Sequence, residues 1–196
     1  MQALALFERD ILLWIHEHLR FAALTPVMRA LSMMVDKGIL WIALTLVLLL
    51  FRRTRRVGIY CAASIILTFL IVNGVVKPLV GRTRPYDLFQ EIQILVKAES
   101  DFCFPSGHTA NSFAVAWILF RMTKKRYGIL AVILAALVAL SRLYVGVHYP
   151  TDVLAGMVIA IALAEVCLHV IPKCERKYRR YKKCKAKQKR KARQAT

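Results

Sequence analysis

The chain has 196 residues, 58% of them hydrophobic, with 30 Lys and Arg against 11 Asp and Glu and a formal net charge of +19. Its length points to one domain, and a mean hydropathy of +0.50 excludes an ordinary soluble globular domain. Basic chains often bind nucleic acid, but here the positive charge falls between and after apolar runs, the pattern of a membrane protein that keeps its charges in loops and tails.

In chain order, Leu4, Phe7, Ile11, Trp14 and Ile15 recur at helical spacing. Glu8, Arg9, Asp10 and Glu17 are costly in hydrocarbon, so this helix is expected in the interface, with a sixth, imperfect span as the alternative. Thr25-Pro26 opens a short second helix toward Val35. Five apolar stretches are expected to span: Gly38–Phe51, Val57–Val76, Gly107–Met122, Gly128–Leu143 and Val153–Ile171. Several fall short of the roughly 20 residues a bilayer core requires. Their outer ends run into polar residues, which are expected to carry the helix into a recessed, hydrated pocket. Tyr86–Phe104 reads either as a short helix over that pocket or as a connecting loop. The expected fold is therefore an all-α bundle of five or six transmembrane helices over residues 1–172, followed by a basic tail over 173–196.

Three basic segments set the orientation. Arg52-Arg53-Thr54-Arg55-Arg56 joins the first two spans, Lys124-Lys125-Arg126 joins the third and fourth, and Lys173–Arg193 carries 13 Lys and Arg against Glu175 alone. With five spans all three fall on one face, which the positive-inside rule makes cytoplasmic. The segments Lys77–Phe104 and Arg142–Asp152 then face outside. The tail is expected to bind anionic inner-leaflet lipid rather than nucleic acid. The N-terminus lacks the features of a cleaved secretory signal, so no cleavage is expected. Cys61, Cys103, Cys167, Cys174 and Cys184 form neither a CxxC pair nor a metal-ligand spacing, and Cys103 reads as a bystander. Trp14, Trp41 and Trp117 read as interfacial anchors or lipid contacts, and Ala131, Ala135 and Ala139 as sites of close helix packing.

The residues suited to chemistry lie in three pieces on the outer side. Lys77 precedes Gly81-Arg82-Thr83-Arg84-Pro85, Pro105-Ser106-Gly107-His108 opens a span, and Ser141-Arg142 is followed by His148 and Asp152. Lys77, Arg84 and Arg142 offer fixed positive charge suited to phosphoryl oxygens. Ser106 and Gly107 stand where a helix begins, so unpaired N–H groups there favour an anion. His148 and His108 supply a nucleophile and a proton donor. Asp152, four residues after His148, can fix its tautomer and basicity. No metal is suggested, and no cofactor is expected.

Lys77 with six residues to Arg84-Pro85, then Pro105-Ser106-Gly107-His108, then Ser141-Arg142 with five residues to His148 and three more to Asp152, resembles the tripartite signature of the type 2 phosphatidic acid phosphatase superfamily. The resemblance implies that His148 attacks phosphorus with Asp152 orienting it. His108 would protonate the leaving oxygen and then activate water. Lys77, Arg84, Ser106, the Gly107 backbone and Arg142 would hold the phosphoryl oxygens, while Arg82 would bind only solvent or headgroup. The implied substrate is a lipid phosphate or diphosphate, with undecaprenyl diphosphate first and phosphatidylglycerophosphate and phosphatidic acid next. A lipid phosphotransferase using the same site and a non-enzymatic scaffold or transporter are the rival readings.

Overall fold

The computed structural model describes residues 2–194, and every regular element among them is helical. Helices α1 (Gln2–Leu19) and α2 (Leu24–Met34) are followed by a 3-10 turn, Asp36–Gly38, and by α3 (Ile39–Leu50). The chain then forms α4 (Arg55–Ile71), which passes through a π-helical turn, Val72–Val76, into the one-turn α5 (Lys77–Val80). A second one-turn helix, α6 (Pro85–Leu88), precedes a long irregular segment, and α7 (Gly107–Met122), α8 (Lys125–Tyr144) and α9 (Pro150–Gln194) complete the bundle.

Helix α7 is the centre. It packs against α8, α9, α4 and α3, and Ala110, Ala114, Val115, Ala116 and Ile118 are inaccessible to solvent. At 16 residues it is about 24 Å long at 1.5 Å per residue, shorter than a hydrocarbon core of about 30 Å. Small residues bring its neighbours close. Ala131, Ala135 and Ala139 are buried along one side of α8, as expected for close packing. Polar links bind the layers as well: Ser64 Oγ of α4 donates to the Ala114 carbonyl at 3.0 Å, and Trp41 Nε1 of α3 donates to Ser112 Oγ at 2.8 Å.

Among the described residues, three helical stretches are long and apolar enough to cross a membrane: Arg55–Leu88, Lys125–Tyr144 and Pro150–Tyr178. The pair α2 and α3, bent by 55°, makes a fourth if it counts as one span. Leu46 and Leu50 of α3, Ile66 and Leu70 of α4, Ile133 and Leu140 of α8, and Leu154 and Val158 of α9 are exposed. Such contiguous apolar surface suits lipid rather than water.

One expectation, that for Trp41, changes. Trp41 is 1% exposed and belongs to the core, because its indole N–H finds an internal acceptor. Trp117 donates to Glu165 Oε1 at 2.7 Å, and Trp14 is exposed. Glu8 of α1 is not in hydrocarbon at all: it is 1% exposed and paired with Arg82. Helix α9 runs without a break across the 172–173 boundary. The last two residues of the basic tail lie outside the described residues.

Candidate active site

The three sequence pieces meet at one end of the bundle. The π-helical turn and α5 carry Lys77, the extended residue before α6 is Arg84, the first turn of α7 carries Gly107 and His108, and the last turn of α8 carries Arg142. His148 lies in the connection between α8 and α9, and Asp152 in the first turn of α9. Lys77, Arg84, Ser106, Arg142, His148 and Asp152 are all buried.

Asp152 folds back onto the turn that precedes its helix. Its Oδ2 accepts from Tyr149 N at 2.8 Å, an N-terminal cap, and lies 3.6 Å from His148 Nδ1. The four-residue spacing therefore works through a capped turn, not through two residues of one helix as the spacing alone suggests. Cys103 is part of this cluster rather than a bystander: its Sγ donates to Asp152 Oδ2 at 2.8 Å and sits 3.4 Å from His148 Nδ1. Burial, then the charge of Asp152, pushes the Cys103 thiol well above the usual thiol range, so it stays protonated as a donor.

On its other side His148 Nε2 has no hydrogen-bond partner among the described residues, although the ring is fully buried. It faces Glu99 Oε2 at 4.0 Å. Burial, opposed by Asp152 and reinforced by Arg142 and Arg84, pushes the His148 pKa down to about 4. His108 lies on the far side of Glu99, with Nδ1 at 3.8 Å from Glu99 Oε1 and Nε2 at 3.7 Å from Asp36 Oδ1.

The basic side chains converge on two carboxylates from the irregular segment after α6. Arg84 Nη2 contacts Glu99 Oε2 and Asp101 Oδ1, each at 2.5 Å, while its Nε and Nη1 donate to the carbonyls of Asp101 and Val147 at 2.9 and 3.0 Å. Arg142 pairs with Glu99 and donates to Ser32 Oγ, and Lys77 pairs with Asp101. Burial alone would raise the Glu99 pKa, but Arg142, His148 and Arg84 outweigh it and hold the carboxyl at about 2. A Cβ at Gly107 would stand 3.5 Å from Asn73 Oδ1 and 3.8 Å from Lys77 Nζ, so glycine leaves the backbone open beside the lysine. The Ser106 hydroxyl accepts from Thr109 Oγ1 at 3.0 Å, capping α7, and keeps its own O–H as a donor. Gly156 of α9 lets the Ser106 carbonyl approach to 2.7 Å of the place a Cβ would take.

A cavity of about 810 Å³ is lined by Asn73, Lys77, Glu99, His108, Asn111 and Arg142. It adjoins an apolar cleft of about 230 Å³ lined by Trp41, Ile42, Ile65, Ile66 and Leu70, the two sharing Gly38, Phe69 and Asn111. Among the described residues, two triples, Glu99–His108–His148 and Cys103–His148–Asp152, place potential metal-donor atoms within 4.8 Å of one another. Glu99 of the first is already paired with Arg84 and Arg142, so a cation entering there would meet fixed positive charge and that donor set favours an anion. In the second, Asp152 is paired with Arg82, and its Oδ2 already accepts from Tyr149 N and Cys103 Sγ.

The family model of the PAP2 superfamily matches residues 56–176. The chain belongs to the PAP2 superfamily. An undecaprenyl-diphosphatase from Sulfolobus acidocaldarius is 37% identical over 116 residues, covering 59% of this chain and 56% of the relative. A bacitracin transport permease protein BcrC from Bacillus licheniformis is 30% identical over 156 residues, covering 78% and 74%. The chain spans about half the length of several relatives it matches, including 47% of a lipid A 4'-phosphatase from Bacteroides thetaiotaomicron. Among solved structures, a transmembrane PAP2 type phosphatidylglycerolphosphate phosphatase from Bacillus subtilis superposes with a TM-score of 0.71 at 27% identity, covering 88% of each chain. LpxE from Aquifex aeolicus gives a TM-score of 0.72 at 25% identity, covering 81% of this chain and 93% of that one.

All the signature residues from Lys77 to Asp152 fall inside the PAP2 match, whereas Glu8, Ser32 and Asp36 precede it. Sequence reasoning missed Glu99, Asp101 and Glu8 as partners. An acid inside an apolar helix signals a buried partner, but nothing in the sequence says which. The spacing of Asp87, Glu91, Glu99 and Asp101 likewise gives no reason to select two of the four.

Proposed function

We propose that this chain hydrolyses a lipid phosphate or diphosphate through a phosphohistidine on His148. The observation that carries the reading is the state of His148: fully buried, with Nδ1 toward Asp152 and Cys103 and an unpartnered Nε2 facing the anion position held by Arg84 and Arg142. Glu99 and Asp101 rest on the same cations that would receive phosphoryl oxygens, and substrate binding displaces them.

In this mechanism the Nε2 lone pair attacks phosphorus as the bond to the leaving oxygen breaks, and Asp152 supports the imidazolium that forms. His108 gives its proton to the leaving oxygen, then takes one from the water that attacks phosphorus and breaks the P–N bond. Lys77, Arg84, Arg142, the Ser106 hydroxyl and the Gly107 N–H balance charge on the equatorial oxygens, and Ser106 also caps the start of α7. The apolar cleft beside the main cavity suits the hydrocarbon of a lipid. The naming of relatives as undecaprenyl-diphosphatase and phosphatidylglycerophosphatase supports undecaprenyl diphosphate and phosphatidylglycerophosphate as substrates; we rank undecaprenyl diphosphate first and add phosphatidic acid on the signature alone. Five membrane crossings with α1 against the bundle, the site on the extracytoplasmic face and the basic tail on anionic inner-leaflet lipid complete the proposal.

The test is phosphate release by the purified full-length protein across a panel of these lipids, with and without strong chelator. Turnover of at least one lipid, unaffected by chelation, is expected. No release from any, or an absolute requirement for added Mg²⁺ or Zn²⁺, would contradict it.

A further inference from the structure

We propose that Glu8, acting through Arg82, is a positioning residue that fixes Asp152 and so orients His148. The inference rests on the phosphatase reading above and extends it to a helix, α1, that lies outside the PAP2 match.

Arg82 is shared between two acids. Its Nη1 donates to Asp152 Oδ1 at 2.6 Å and to Thr151 Oγ1 at 2.7 Å, and its Nη2 donates to Glu8 Oε2 at 2.5 Å. The other Glu8 oxygen, Oε1, accepts from Thr151 N at 2.9 Å and Thr151 Oγ1 at 2.6 Å. The guanidinium also lies over the Tyr149 ring, 4.0 Å from its centroid. Glu8 is thus anchored to the first turn of α9, where a carboxylate is favoured by the unpaired N–H groups.

This arrangement divides the labour of Asp152. Arg82 holds Oδ1, which leaves Oδ2 for Tyr149 N, Cys103 Sγ and His148 Nδ1. Left alone, the Arg82 charge would weaken the support Asp152 gives to a cationic imidazole. Glu8 cancels that charge while keeping the fork in place. Arg82 is not a phosphate ligand in this geometry: it does not line the large cavity, and its ion-pair partners are Glu8 and Asp152, not the Glu99 and Asp101 carboxylates that occupy the anion position.

The experiment uses full-length protein in detergent, with the best lipid phosphate found for wild type and orthovanadate as a phosphoryl mimic. Glu8→Gln and Arg82→Lys should each lower kcat about 10–100-fold, the usual cost of losing an orienting partner behind a reactive group. KM and the orthovanadate inhibition constant should stay near wild type. His148 titration, followed by NMR of histidine-labelled protein, should move to lower pH in Glu8→Gln and return toward wild type in Glu8→Gln/Arg82→Gln, with kcat still low. Arg84, Glu99, Cys103, His108 and Arg142, the other charged or titratable groups facing His148 and Asp152, are the same in every variant. Should Glu8→Gln not fold, Thr151→Val removes one leg of the network without a charge change and should lower kcat with an unmoved titration. Wild-type kcat in the folded variants overturns the link, as does a raised KM with kcat kept, which would make Arg82 a substrate ligand. If wild type releases no phosphate from any lipid, the phosphatase reading fails, and the His148 titration still decides the Glu8–Arg82 link.

Discussion

Burial keeps the His148 ring neutral, with a pKa near 4, so its Nε2 lone pair is available throughout the neutral range. The same burial has a cost at low pH. Between about pH 6.5 and 4 the unfolded chain binds a proton at this histidine that the folded chain refuses, so stability falls with pH across that window. Glu99 acts below it: its carboxyl, held at about 2, contributes stability that is fully present above its unfolded pKa near 4.3 and is lost as pH falls toward 2. Denaturation midpoints measured from pH 7 down to pH 3 should therefore drop in two stages, and Glu99→Gln should flatten the lower one. With the carboxylate gone from Arg84 and Arg142, the same variant should bind orthovanadate about 10–100-fold more tightly, since a charge-assisted hydrogen bond is worth about 1.5–3 kcal/mol. An unaltered inhibition constant would mean that Glu99 does not compete for the anion position. The two histidines separate by trapping: His148→Ala should form no acid-labile, base-stable phosphoenzyme in rapid quench. His108→Ala should lose about 10²–10⁴-fold in turnover yet still accumulate phosphohistidine from a substrate whose leaving group needs no proton.

Helix α7 holds the site because α3, α4, α8 and α9 all pack against it, and its contact with α8 depends on small side chains. Ala135 is inaccessible, so Ala135→Leu should overpack the interface and cost about 1–3 kcal/mol. The cost would be read as a lower thermal midpoint in detergent together with reduced turnover, because Arg142 lies two turns along the same helix. Ala136, one position around α8, is only partly buried, and Ala136→Leu should change the midpoint much less. Equal losses in both variants would show that the helix tolerates no bulk anywhere, not that this one seam is tight.

The whole molecule joins an apolar bundle to a strongly basic end. Arg53 and Glu91 are both exposed, and the proposed orientation puts them on opposite sides of the membrane. On a background without native cysteines, Glu91→Cys should react with an impermeant thiol reagent from outside and Arg53→Cys only after permeabilisation. The reverse pattern would invert the topology and place the phosphoryl site on the cytoplasmic side.

Composition, apolar periodicity and three basic segments were enough to read a helical membrane bundle, and the third span coincides with α7, because hydrophobic runs and helix-opening glycine are local properties. The signature residues were legible for the same reason: Lys77, Arg84, Gly107, His108, Arg142, His148 and Asp152 stand at fixed spacings along the chain. Sequence could not show that Trp41 turns inward to Ser112, that Cys103 donates to Asp152, or which acids of the 86–104 segment reach the arginines. Those contacts join residues 49 and 71 positions apart or select among equivalent loop acids. Arg82 makes the point most plainly. Its neighbours in sequence suggest a surface charge, but its partners lie 70 and 74 residues away. Pairing buried charges requires the bundle to close first, so the tertiary structure alone decided where that guanidinium and Glu8 would meet.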